Sequence, residues 1–84
     1  MERTEIERKV ADAVSAAVGV KASTVQAESF KVSATGVFSS YALLELIIRL
    51  EEAFKVEIPD DHLEPDRFDT VGSIADYVEG RIAA

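Results

Sequence analysis

The sequence predicts an all-α domain of three main helices and one short helix, with a long connection between the first two. Three observations carry that prediction. Apolar residues recur at three- and four-residue steps in three separate segments. Nothing in the chain shows the alternating polar and apolar period of a half-buried strand. Two prolines, Pro59 and Pro65, fall between the last two periodic segments, where they break helical continuity. No internal repeat or low-complexity tract interrupts the pattern.

The first helix is expected over about residues 4–17. Ile6, Val10, Ala13, Val14, Ala17 and Val18 share its inner face, while Glu5, Glu7, Arg8, Lys9 and Asp12 point away. Thr4 and Glu7 stand in the T-x-x-E relation of a capping box, and Gly19 suits the terminating position. From Lys21 to Phe38 the helical period fails, and serine, threonine and glycine are frequent. So long a connection is unusual in a small domain. Its scattered Val25, Phe30, Val32 and Val37 suggest a segment pinned to the core, as a link between parallel helices needs to be.

The second main helix is expected from about Ser40 to Phe54, ending near Lys55. At about 100° per residue, Leu43, Leu46, Ile47, Leu50 and Phe54 form one stripe that faces the core. The opposite side carries Tyr41, Leu44 and Ile48 among Glu45, Glu51 and Glu52. A helix apolar on both sides is either enclosed or keeps a surface for a partner, and a domain this small has little with which to enclose it. The stretch VEIPDDHLEPDRFDT follows, in which Leu63 and Phe68 can anchor a short helical turn. The last helix begins near Thr70, a good N-cap, with Val71, Ile74, Ala75, Val78 and Ile82 as its inward stripe.

Composition narrows the function classes. At 84 residues the chain has room for one core but hardly for a deep catalytic cleft, and residues 1–84 are expected to form a single domain. Zero cysteines exclude disulfides, thiol catalysis and cysteine-based zinc sites, and a single histidine, His62, argues against a metal cluster. No apolar run is long enough to span a bilayer, and the opening MERTEIERK is charged rather than apolar, so a cytoplasmic location is expected. The net charge of −7 lies wholly in the second half: residues 1–38 hold five acids and five bases, residues 39–84 eleven acids and four bases. Such a field repels nucleic acid and anionic lipid and steers a partner bearing a basic patch.

Two adjacent serines, Ser39 and Ser40, stand at the start of the second main helix in GVFSSYALLEL. Either can cap the helix, and either can be a chemical attachment point. A serine nucleophile would need a base, yet His62 sits among surplus aspartates in a turn, where it reads as a solvated side chain. There is no G-x-S-x-G elbow, and the chain is not expected to be an enzyme.

TGVFSSYALLELIIRLEEAFKVEIPDD, followed by FDTVGSIADYV, resembles the acyl carrier protein family, and EIERKVADAVSAAVGV is similar to that family's first helix. The resemblance spans the chain from end to end and implies the family's four-helix bundle. In the family the attachment serine precedes one glutamate of the second helix by five residues and the first glutamate of an L-E-E run by eleven; here these are Glu45 and Glu51, which implies Ser40, with Ser39 the less favoured alternative. The resemblance further implies a carrier: a phosphopantetheinyl transferase moves 4'-phosphopantetheine from coenzyme A to the serine. Acyl or aminoacyl groups then ride as thioesters on its thiol, between a loading enzyme and downstream biosynthetic enzymes of fatty-acid, polyketide or specialised pathways. Tyr41, Leu44, Glu45, Ile48, Glu51 and Glu52 fall on the positions that partners contact, and a monomer is expected.

The chain departs from the family's pattern at Ser39, which replaces an aspartate, at Tyr41, which replaces a leucine, at Ala42 and at Arg49. Tyr41 and the ALLEL stretch look more like discrete carriers of D-alanyl, aminoacyl or alkoxymalonyl groups. The alternative is a helical docking module that carries no arm. Phe30, Phe38, Leu46, Phe54, Ile58, Leu63 and Ile74 are expected to pack the core, with a cavity for cargo among them as the other reading.

Overall fold

The computed structural model describes residues 1–26, 30–35 and 40–83, the side chain of Ser40 excepted. Among these the chain is all-helical. Four α-helices run in the order α1 (Arg3–Val18), α2 (Ala22–Val25), α3 (Ser40–Phe54) and α4 (Val71–Ala83), with 3-10 turns at Val32–Thr35, Asp60–His62 and Pro65–Phe68.

The helix ends follow from local chemistry. Gly19 adopts φ 75°, and its N–H donates to the Ser15 carbonyl at 2.9 Å, closing α1 as expected. Its start differs from expectation. The N-cap is Glu2, without a side-chain bond, and Thr4 lies inside the helix. The Thr4–Glu7 capping box does not form: the Ile6 N–H already bonds the Glu2 carbonyl at 3.0 Å, and the Glu7 carboxylate accepts from Arg3 Nε at 2.7 Å.

α3 stops at Lys55, whose φ of 54° is left-handed, and the Val56 N–H reaches back to the Glu51 carbonyl at 3.3 Å. That is the six-to-one bond of a Schellman turn, with lysine where glycine is the easier residue. α4 is capped by Thr70 as predicted. Its Oγ1 accepts the Ser73 N–H at 3.0 Å, while the Thr70 N–H donates to Ser73 Oγ at 3.2 Å. This is the reciprocal logic of a capping box with serine as the second partner.

One core joins all four helices. Ile6, Val10 and Val14 of α1, Leu46 and Leu50 of α3, and Ile74, Ala75 and Val78 of α4 are buried there, with Val25, Val32, Ile58 and Phe68 from the connections. No polar or charged side chain is buried among the described residues. The long connection is pinned as the sequence suggested: Val25 and Val32 are buried and Phe30 half-buried. It also holds the single turn α2, which its sparse periodicity concealed. Phe38 and Val37 lie outside the described residues.

The segment containing Leu63 and Phe68 forms two 3-10 turns. Phe68 is fully buried, with its ring edge-on to Tyr77 at 5.5 Å, and Leu63 packs half-buried against the core. Three core assignments change. Ile82, placed inward by periodicity, is 39% exposed in the last turn of α4, and Ala11 and Ala42 are buried although neither was assigned to the core.

Polar contacts tie the ends of the bundle. Arg3 Nη1 donates to Asp76 at 2.7 Å and to Glu79 at 2.5 Å, and Nη2 to the Gly72 carbonyl at 3.2 Å, fastening the start of α1 to α4. Glu7, with Asp76 and Glu79, raises the Arg3 pKa further above its already high value, so the clamp stays charged. At the other end of α4, Arg81 donates twice to the Glu57 carbonyl, at 3.1 and 2.8 Å. No helix among the described residues is long and apolar enough to cross a membrane.

Candidate functional site

The site is built around the start of α3. Ser40 is its first residue, at the point where the long connection ends. The first turn of a 15-residue helix favours negative charge, because backbone dipoles align there. Ser39 lies outside the described residues.

Five residues before Ser40 the connection is fixed. The 3-10 turn Val32–Thr35 is held to the residue that precedes the α4 cap: the Val32 N–H donates to the Asp69 carbonyl at 2.7 Å. The Asp69 carboxylate takes the Ser33 N–H at 2.7 Å and the Ser33 hydroxyl at 3.1 Å. Thr35 Oγ1 donates to the Val32 carbonyl at 2.8 Å and tightens the turn. Neither Asp69 nor Ser33 was singled out from the sequence. They lie 36 positions apart, and nothing local in either neighbourhood signals the pairing.

Along α3 the outward side is as the periodicity described. Tyr41 is 81% exposed, Leu44 52% and Ile48 50%, one above the next along the helix. Their opposite neighbours Leu46 and Leu50 are fully buried, so the exposed row stands on a helix anchored from behind. The carboxylates differ in their commitments. Glu45 pairs with Arg49 at 2.8 Å, and Glu52 is exposed beside a shallow groove lined by Arg8, Lys9, Asp12 and Arg49. Glu51 Oε2 accepts the Ile58 N–H at 2.9 Å while its backbone carbonyl serves the Schellman turn. Glu51 therefore fastens the segment after α3, a task its spacing did not reveal.

His62 is not the solvated side chain expected. It is half-buried, and its Nδ1 lies 2.7 Å from the Tyr77 hydroxyl with the rings edge-on at 5.8 Å. Arg67 adds to the cluster, stacking over Tyr77 at 5.2 Å and donating to the His62 carbonyl at 3.1 Å. Among the described residues no group of three His, Asp or Glu side chains is arranged to hold a metal ion. Leu46, Phe54, Ile58 and Ile74 are buried in the packed core, and Phe30 and Leu63 are packed against it.

Residues 8–78 match the family model described as the phosphopantetheine attachment site. The chain is 40% identical over 79 residues to the acyl carrier protein of Rubrobacter xylanophilus, covering 93% of each chain. It is 32% identical over 71 residues to the acyl carrier protein of Clostridium acetobutylicum, covering 84% of this chain and 88% of that one.

Proposed function

The chain belongs to the acyl carrier protein family, and we propose that it holds acyl or aminoacyl intermediates at Ser40 and presents them to enzymes of a dedicated fatty-acid, polyketide or related pathway. It is a carrier rather than an enzyme, and its prosthetic group is a covalently attached 4'-phosphopantetheine. Family membership implies a phosphopantetheinyl transferase and biosynthetic enzymes as partners.

The residues present fit that group. A serine opens a long helix whose dipole favours a phosphodiester, and its neighbour Tyr41 is exposed. When attached, the group supplies a terminal thiol for a thioester, which this cysteine-free chain lacks.

The single observation that carries the reading is register. Ser40 is the first residue of α3, five residues before Glu45 and eleven before Glu51, the spacing of the family's attachment serine. The row Tyr41, Leu44 and Ile48 supplies apolar area for docking, and Glu45, Glu51 and Glu52 supply a charged rim that speeds encounter. Because Glu51 also holds Ile58, its charge works from a fixed position.

Intact-mass measurement tests the reading. With coenzyme A and a broad-specificity phosphopantetheinyl transferase, the wild type gains one phosphopantetheine. Ser40→Ala abolishes the gain and Ser39→Ala does not. Labelling that follows Ser39 instead moves the attachment point, and no gain with several active transferases leaves the docking module without an arm as the better account.

A further inference from the structure

We infer that Arg49 sets which partners the docking face accepts: by holding Glu45 it turns away an enzyme surface that is basic throughout, and it favours one that places a carboxylate against Arg49 beside its apolar contact with Tyr41, Leu44 and Ile48. The inference rests on the reading of α3 as the docking face and adds the chemistry of the partner.

Arg49 is the single base on α3. Its Nε and Nη2 both reach Glu45 Oε1, at 3.0 and 2.8 Å. A partner's arginine clasps a carboxylate best through two parallel bonds, one to each oxygen, and here one oxygen is already taken twice. The pair is partly exposed and weak in itself, as pairs four residues apart on a helix are. Its opening still does not restore the pull of Glu45, because the guanidinium stays on the adjacent turn and repels an incoming cation. Glu51 Oε2 accepts the Ile58 N–H, whereas the Glu52 carboxylate makes no hydrogen bond or ion pair among the described residues. The face thus offers one uncommitted carboxylate rather than three.

Position makes Arg49 available to a partner. It follows Ile48 by one residue, about 100° around the helix, so its exposed side chain flanks the apolar row. It also lines the groove between α1 and α3 together with Arg8 and Lys9, against Asp12 and Glu52. Arg8 and Lys9 hold their own acids only loosely, Asp12 at 4.0 Å and Glu5 at 3.9 Å. A carboxylate brought in beside Ile48 meets Arg49 with two further cations along the same groove, and an arginine brought there meets like charge.

Phosphopantetheinylation of the full chain by a broad-specificity transferase with a basic carrier-binding surface tests this. Arg49→Gln lowers the KM for the carrier about three- to fivefold at low ionic strength, the scale of one exposed charge, and the gain vanishes in molar salt. Arg49→Lys, which keeps the charge and loses the fork, falls between the two. Glu45→Gln raises KM about twofold in the native background and about tenfold in the Arg49→Gln background, where a direct clasp of Glu45 has become possible. Changing the transferase's surface lysines and arginines to glutamate one at a time supplies the missing carboxylate. At least one reversal makes the wild type a better substrate than Arg49→Gln. Helicity is unchanged throughout, since the sites are on the surface and Arg, Gln, Glu and Lys have similar helix propensities.

A KM for Arg49→Gln that equals or exceeds that of the wild type overturns the inference, as does a gain that survives molar salt or an equal effect of Glu45→Gln in both backgrounds. A scan in which every reversal leaves Arg49→Gln the better substrate overturns the assignment of a carboxylate-bearing partner. Failure of the underlying reading is distinguishable. An unchanged KM for Ile48→Asp removes α3 from the interface and the inference with it, whereas impaired Ile48→Asp with an unchanged Arg49→Gln defeats only the role of Arg49.

Discussion

Ile48→Asp separates docking from folding. Ile48 is half exposed, so the contact area it can still surrender to a partner is about half that of a whole side chain. Full burial of an isoleucine contributes about 1.5–3 kcal/mol, which leaves ~1 kcal/mol for the exposed half. The introduced carboxylate adds a second cost. It would be desolvated in the middle of the interface without a partner, at about 1–2 kcal/mol on the scale of protein mutational data. The sum of ~2–3 kcal/mol corresponds to a rise of roughly 30- to 150-fold in KM for the carrier.

Folding should barely change. The side chain faces outward, Asp and Ile have similar helix propensities, and exposed substitutions of this kind stay within about 0.5 kcal/mol. The assay is phosphopantetheinyl transfer at varied carrier concentration, paired with circular dichroism and a thermal melt. Ile48→Ala, which removes the contact without adding charge, should fall near fivefold, the equivalent of ~1 kcal/mol. A KM within threefold of wild type for Ile48→Asp, in a protein of normal helicity, would remove this row from the interface.

Two further substitutions probe the frame behind that surface. Arg3→Ala removes a guanidinium shared by Glu7, Asp76 and Glu79. These pairs are partly exposed, so together they contribute only about 1–2 kcal/mol, or a fall in Tm of roughly 5–10 °C that shrinks in molar salt. Glu51→Ala strands the N–H of buried Ile58 and should cost about 1.5–3 kcal/mol in chemical denaturation. Glu51→Gln keeps an acceptor and should recover most of that loss. Both changes remove the charge, so both should weaken transferase binding alike; a Gln variant that binds as wild type would show that Glu51 acts only as a fastener.

What was legible in the sequence was what short-range chemistry decides. The stripe Leu46, Ile47, Leu50 and Phe54 fixed the register of α3, and with it the outward row at Tyr41, Leu44 and Ile48. Gly19 and Thr70 marked a helix end and a helix start because their roles depend on the backbone within four residues. The failures have one common cause, contact between distant parts of the chain. Thr4 and Glu7 carry a capping pattern, but Arg3 claims Glu7 while reaching across to α4. His62 looked solvated in its own turn, and Tyr77, fifteen residues on, half-buries it. Ile82 has the right period and the wrong place, being 39% exposed in the last turn of α4. The Asp69–Ser33 contact could not be read locally at all.

The interior of the described bundle contains hydrocarbon and no buried polar side chain. Its cohesion is therefore non-directional, and parting two of its helices breaks no side-chain hydrogen bond there. A hydrocarbon inserted between them would replace like with like, at a cost set by lost close packing and local strain rather than by stranded donors or acceptors. A buried polar network would instead present a threshold, with nothing gained until every bond was replaced. Such an interior yields by degrees, and its response to a guest should scale with the guest's volume.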